Sequence, residues 1–134
     1  MDSHFLPNKN EKDNIFKIGE VPNAQLFMQS KNIMIVPLLA GGGIRIKLIE
    51  GMAIGKAIVA SSIALEGNPA RDKQEVLIAD SPEDFATAVC CLIENANFAK
   101  ELARNAQIHA RHYFDNEVLA DKLLKFYDEV IADK

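Results

Sequence analysis

Cysteine is nearly absent from this sequence: Cys90 and Cys91 are the only two in 134 residues. They are adjacent, so a bridge between them is strained, and no second pair exists to build a disulfide framework. Reduced thiols beside the apolar stripe of a helix are the expectation. Long hydrophobic runs are missing as well. The longest, such as "IMIVPLLA", are too short to span a bilayer, and residues 1–13 are polar apart from Phe5, Leu6 and Pro7, so no secretory signal is expected. Positive charge is scarce: 15 Lys and Arg against 19 Asp and Glu leave a formal charge of -4. That balance argues against a nucleic-acid partner, which needs a basic surface to displace counterions. No internal repeat or low-complexity segment interrupts the chain. What remains, 49% hydrophobic and 25% charged, is ordinary for one globular domain with a single core.

Turn formers without periodicity make residues 1–14 a loose leader, and 15–134 the folded domain. "IFKIGE" (15–20) alternates apolar and polar positions, as a strand does. "VPNAQLFMQSK" places Pro22 and Asn23 at a helix start. "NIMIVPLL" has the continuous apolar character of a strand covered on both faces, stopped at Pro37. Ile44, Leu48, Ile49 and Met52 then recur at helical spacing up to Gly55, and "KAIVASS" and "EVLIA" supply two more short strands. From Ser81 the pattern is helical. "SPED" gives an N-cap, a first-turn proline and acids at the positive helix end. Phe85, Val89, Leu92 and Ile93 form the stripe of that helix; Leu119, Leu123, Phe126, Tyr127, Val130 and Ile131 form that of the last. Strands alternating with helices predict an α/β fold, a mostly parallel sheet of about four strands with helices at the C-terminal end.

The chemistry concentrates in "GGGIRIKLIEGMAIGK" (41–56). In an open parallel sheet ligands bind at the carboxyl ends of strands, and this turn leads from one such end into a helix N-terminus. Amides there lack intrahelical acceptors and attract anions, and Gly41, Gly42 and Gly43 keep side chains out of the way. If Gly43, Lys47 and Glu50 share one helix face, Lys47 can meet a phosphate and Glu50 can accept from a diol such as a ribose. The alternative is a plain tight turn with Lys47 and Glu50 as a solvated pair. "GMAIGKA" is not a P-loop, and the triplet is not a dinucleotide fingerprint. His109 and His112, three apart, lack a third metal ligand, so a surface-helix role is expected. Arg45 either touches an anion or runs along its own helix.

Taken together, "NIMIVPLLAGGGIRIKLIEGMAIGKAIVASSIALEG", with Gly19, Glu20 and Val21 before a helix and "HYFD" late in the chain, resembles the C-terminal, donor-binding domain of retaining family-4 glycosyltransferases. The resemblance implies part of the GT-B fold, a Rossmann-like three-layer sandwich, truncated here. It implies a nucleotide-sugar donor, no metal or other cofactor, and transfer of a sugar to an acceptor with retention. It assigns the donor diphosphate to Gly41, Gly42, Gly43, Ile44 and Lys47, with the Gly42, Gly43 and Ile44 amides facing the leaving group. The ribose falls to Glu50, the second Glu of the family's Glu, seven residues, Glu motif. Gly42 stands where many relatives carry the first, sugar-contacting Glu, a departure from the motif. Gly19, Glu20 and Val21 correspond to the wall around the base; Ser61 and Ser62 match by position only, and Glu66 either aids a sugar hydroxyl or caps its loop.

Family members are more than twice as long, with an acceptor-binding N-terminal domain. The resemblance therefore implies that this chain alone is inactive, and that the missing half, a partner chain or a strand-swapped homodimer completes it. Tyr127, Val130 and Ile131 would then show an apolar patch. A cytoplasmic setting is expected, with peripheral membrane association of the full enzyme at the inner face as one option, and envelope or surface polysaccharide synthesis as the context. The rival expectation is a non-catalytic module that binds a nucleotide or a partner on a half Rossmann-like scaffold.

Overall fold

The structure is a computed structural model that describes residues 15–132. The expected leader, 1–14, lies outside the described residues. Three parallel strands form the sheet: β1 (Ile33–Val36), β2 (Ala57–Ala60) and β3 (Leu77–Ile78), in the order β1-β2-β3. All four residues of the central strand are buried. Its alternation divides the core. Ile58 and Ala60 face Leu48 and Met52 of α2 (Ile46–Ala53) and Ala106 and Ala110 of α4 (Ala96–Phe114). Ala57 and Val59 face Leu92 of α3 (Pro82–Glu94) and Leu102 of α4. Helices thus cover both faces, giving the three layers expected of a Rossmann-like arrangement.

Local chemistry explains the boundaries. The short α1 (Ala24–Gln29) starts where Asn23 accepts from the Leu26 amide at 2.9 Å. α2 ends at Gly55, whose φ of 73° continues the chain past the last turn as only glycine does easily. At α3, Ser81 accepts from the Asp84 amide at 3.1 Å and donates to its carboxylate at 2.7 Å, with Pro82 in the first turn. Ser81→Ala removes this cap, and urea denaturation is expected to show a loss of about 1 kcal/mol.

Several expectations need correction. Residues 15–20 form no strand; Ile15, Phe16 and Ile18 are more than half exposed. Alternation alone does not make a strand without a hydrogen-bonding neighbour, and among the described residues the sheet has three strands rather than four. β1 is not covered on both faces, because Ile35 is 55% exposed. Ile93 and both cysteines are exposed; the buried stripe of α3 runs through Phe85, Ala88, Val89 and Leu92, and 90, 91 and 93 fall off it. The last helix, α5 (Asn116–Ala132), has the expected stripe but no buried residue. Tyr127, Val130 and Ile131 are 46–71% exposed, as an uncovered apolar face requires. Among the described residues no helix is long and apolar enough to cross a membrane.

Candidate functional site at the strand ends

Pro37 ends β1, and the chain turns through Gly41 and Gly43, with φ of 126° and 84°, before α2 begins at Ile46. Gly43 therefore lies outside the helix and shares no helical face with Lys47 and Glu50. The first intrahelical bonds run from Leu48 and Ile49 to the Arg45 carbonyl, at 3.1 and 3.2 Å. The Ile46 and Lys47 amides precede them, and no acid sits in the first turn to offset the positive helix end.

Arg45 does not run along its helix. It folds back into the glycine turn, where Nη1 donates to the Gly42 carbonyl at 2.6 Å. A Cβ on Gly41 would stand 2.7 Å from Nη2, so glycine makes room for the guanidinium. Nε and Nη2 are buried with no hydrogen-bond partner. A charged donor in that state attracts an acceptor.

Lys47 and Glu50 do meet. Nζ lies 2.7 Å from Oε2, with the two side chains 65% and 46% exposed. They line a cleft of about 200 Å³ with Gln25 and Met28 of α1, Ala53 of α2 and Ile54 just after it. Neither the glycines nor Gly19, Glu20 and Val21 line it. The last three lie in irregular chain just before α1. Sequence reasoning missed Gln25 and Met28 because nothing in their spacing ties them to α2. It also missed Lys56, whose Nζ donates to the Gln29 carbonyl at 2.9 Å and to that of Lys31, fixing the end of α1.

A second cleft, about 350 Å³, opens over the strand ends between Pro37, Leu39, Asp80 and Phe85. Ser61 lines it, and Ser62 follows it in the chain. Ser61 Oγ donates to the Leu38 carbonyl at 2.7 Å, and the Ser62 amide and hydroxyl both donate to Asp80 Oδ1, at 2.8 and 2.9 Å. These bonds stitch the ends of the three strands together. Glu66 stands at the end of a 3-10 turn (Ile63–Leu65) with its side chain exposed.

His109 is not a surface residue: it is 6% exposed, with Nε2 2.9 Å from Asn68 Oδ1. Among the described residues no group of three or more His, Cys, Asp or Glu could hold a metal. Burial pushes the His109 imidazole below its ordinary value; Glu75 opposes this, while Arg71 and His112 add to it. Burial also pushes the Glu75 carboxyl up, but two hydrogen bonds and the charge from Arg71 outweigh it and hold it low, helped by His109. Both groups bind protons less readily folded than unfolded, so stability falls with acidification. The His109 contribution is complete above the ordinary imidazole value of 6.5 and is lost as pH drops toward the lower folded value. The Glu75 contribution follows below 4.5. Urea midpoints are expected to fall in these two windows, and His109→Gln should remove the first.

Residues 3–95 match the family described as glycosyl transferases group 1. The chain is 30% identical over 115 residues to N,N'-diacetylbacillosaminyl-diphospho-undecaprenol alpha-1,3-N-acetylgalactosaminyltransferase of Campylobacter jejuni, covering 79% of this chain and 28% of that protein. It is 28% identical over 121 residues to an uncharacterized glycosyltransferase of Methanocaldococcus jannaschii, covering 87% and 31%. An uncharacterized protein in the cps region of Klebsiella pneumoniae is 27% identical over 93 residues, 69% of this chain and 24% of that protein. The chain thus spans 24–31% of the length of these relatives. Among solved structures, sucrose-phosphate synthase of Thermosynechococcus elongatus superposes with a TM-score of 0.69 at 19% identity, covering 81% of this chain and 28% of that one. Anabaena HepE in complex with UDP superposes with a TM-score of 0.62 at 21% identity, covering 74% and 29%. A UDP-glucose complex of HepE gives 0.61 at the same identity and coverage.

Proposed function

The chain belongs to the group 1 glycosyltransferase family, and from that premise we propose that it is the donor-binding part of an enzyme that moves a sugar from a nucleotide diphosphate to an acceptor with retention of configuration. One observation carries the reading: Lys47 and Glu50 converge on a single cleft, one helical turn beyond a glycine turn at the carboxyl end of a parallel strand. In this reading Glu50 accepts from the ribose hydroxyls, and Lys47 exchanges its carboxylate partner for the diphosphate. The amides of Gly42, Gly43 and Ile44 face the departing diphosphate, whose developing charge is stabilised by donors already in place. Gly19, Glu20 and Val21 form the wall toward the base. Transfer proceeds without a metal ion. The neighbours solved with UDP and UDP-glucose support a uridine nucleotide as the first donor to try.

Donor binding rather than turnover is the expected activity of this polypeptide alone, since it spans less than a third of its curated relatives. The acceptor side, and the open outer edge of β1, are completed by further polypeptide, either an acceptor-binding half or a second copy exchanging strands. Calorimetric titration with UDP, GDP and UDP-glucose tests the reading: saturable binding by one nucleotide series supports it. A folded protein that binds none leaves the second reading, a non-catalytic partner-binding module. The closed Lys47–Glu50 pair and the uncovered stripe of α5 favour that second reading.

A further inference from the structure

Behind the glycine turn lies a buried polar connection that the donor-binding reading does not use. Asn68 Oδ1 accepts from the Ala70 amide at 3.1 Å. An amide N–H only donates, so this oxygen is fixed as an acceptor, and His109 carries its proton on Nε2 to reach it at 2.9 Å. The other end of the same side chain, Nδ2, points to Met52 Sδ of α2 at 3.6 Å, and the Asn68 amide donates to the Leu65 carbonyl at 2.8 Å. One asparagine therefore ties α4, α2 and the loop after β2 together. The preceding residue, Gly67, has a φ of 77°, and a Cβ there would stand 3.0 Å from Ile44 Cγ1. The loop backbone is seated directly on the side chain that follows the three glycines.

We propose that His109 is a positioning residue for the glycine turn: it holds Asn68, which holds Gly67 against Ile44, so that the turn keeps one geometry. The inference rests on the donor-binding reading for the identity of the ligand, and on contacts alone for the coupling. It also makes the turn responsive to acid. The groups around the imidazole are Glu75 and Arg71 from the adjoining turn and His112 and Tyr113 from α4, the Tyr113 ring at 4.7 Å; with Lys73 and Glu101 they line a further cleft that His109 borders. A proton added at Nδ1 leaves the bond to Asn68 intact but places a charge in a buried ring, a cost that the nearby Glu75 carboxylate only partly offsets, and this loosens its seat.

Amide NMR on the full chain, combined with UDP-glucose titration, tests this. In His109→Leu the resonances of Gly41, Gly42, Gly43 and Ile44 should move, and UDP-glucose affinity should drop about tenfold, the effect of losing one buried hydrogen bond. His109→Gln, whose amide can still donate to Asn68, should restore both. In the wild type the same resonances should titrate below about pH 6.5, because burial holds the imidazole under its ordinary value, and in His109→Gln they should not. The phosphates of UDP-glucose are diesters and do not titrate there, so any change in affinity belongs to the protein. Should His109→Leu fail to fold, Asn68→Ala must displace the same four resonances. Wild-type positions for them in a folded His109→Leu or Asn68→Ala would overturn the proposal, as would equal loss of affinity in the Leu and Gln variants. A wild type that binds no UDP-glucose would count against the donor reading, while the four resonances still decide this one.

Discussion

Replacing Glu50 by alanine is expected to weaken UDP-glucose binding by about ten- to hundredfold, because a carboxylate that accepts from two hydroxyls contributes roughly 1.5–3 kcal/mol. The existing partner does not stand in the way. An exposed pair such as Lys47–Glu50, three residues apart on one helix, is worth about 0.3–0.5 kcal/mol and exchanges readily for a better arrangement. Since Glu50 is exposed and sits on the outer face of α2, its loss should change the urea midpoint little. Glu50→Gln keeps one acceptor oxygen without the charge and should fall between the two. Calorimetry on the three proteins gives the order directly. An alanine variant that binds as tightly as the wild type would remove the ribose role from this residue.

Gly41→Ala should be the most damaging single methyl in the turn, costing about 2–3 kcal/mol of stability. Two effects act together: a φ of 126° disfavours any residue with a Cβ, and that Cβ would meet Arg45 Nη2 at 2.7 Å. The guanidinium would have to shift, which strains its bond to the Gly42 carbonyl. Gly42→Ala is the control. Its Cβ would meet nothing within 4 Å, and its φ is not positive. A change within about 0.5 kcal/mol is expected there. Urea denaturation of the two variants measures the contrast, and equal losses would mean that the Arg45 contact does not shape the turn.

Features carried by neighbours in sequence were readable. The cap at Ser81, the helix ending at Gly55 and the strands at "IMIV" and "AIVA" follow from a few adjacent residues each. What escaped depends on partners distant along the chain or on none being present. The 15–20 segment has the alternation of a strand, yet alternation reports which side chains could be buried, not whether a ladder partner exists. His109 looked like one of two histidines on a polar helix face, whereas its environment is set by Asn68, 41 residues away. At the candidate site, Lys47 and Glu50 were legible from helical spacing. Gly43 falls at helical spacing from Lys47, and residues 44–46 give no sign that α2 begins only at Ile46. The path of Arg45 into the turn was hidden because a long flexible side chain can reach in several directions.

Lys56 carries a consequence for how this cleft could evolve. The α1 helix buries none of its residues, so the ammonium that grips the carbonyls of Gln29 and Lys31 acts as its mooring. Gln25 and Met28 ride on that helix and form the far wall opposite Glu50. Exchanging Lys56 for a shorter or uncharged side chain would let the wall drift without touching any residue that lines the cleft. If the cleft holds the donor as proposed, selection for a different donor acts first at position 56, and substitutions there should be inherited together with changes at 25 and 28.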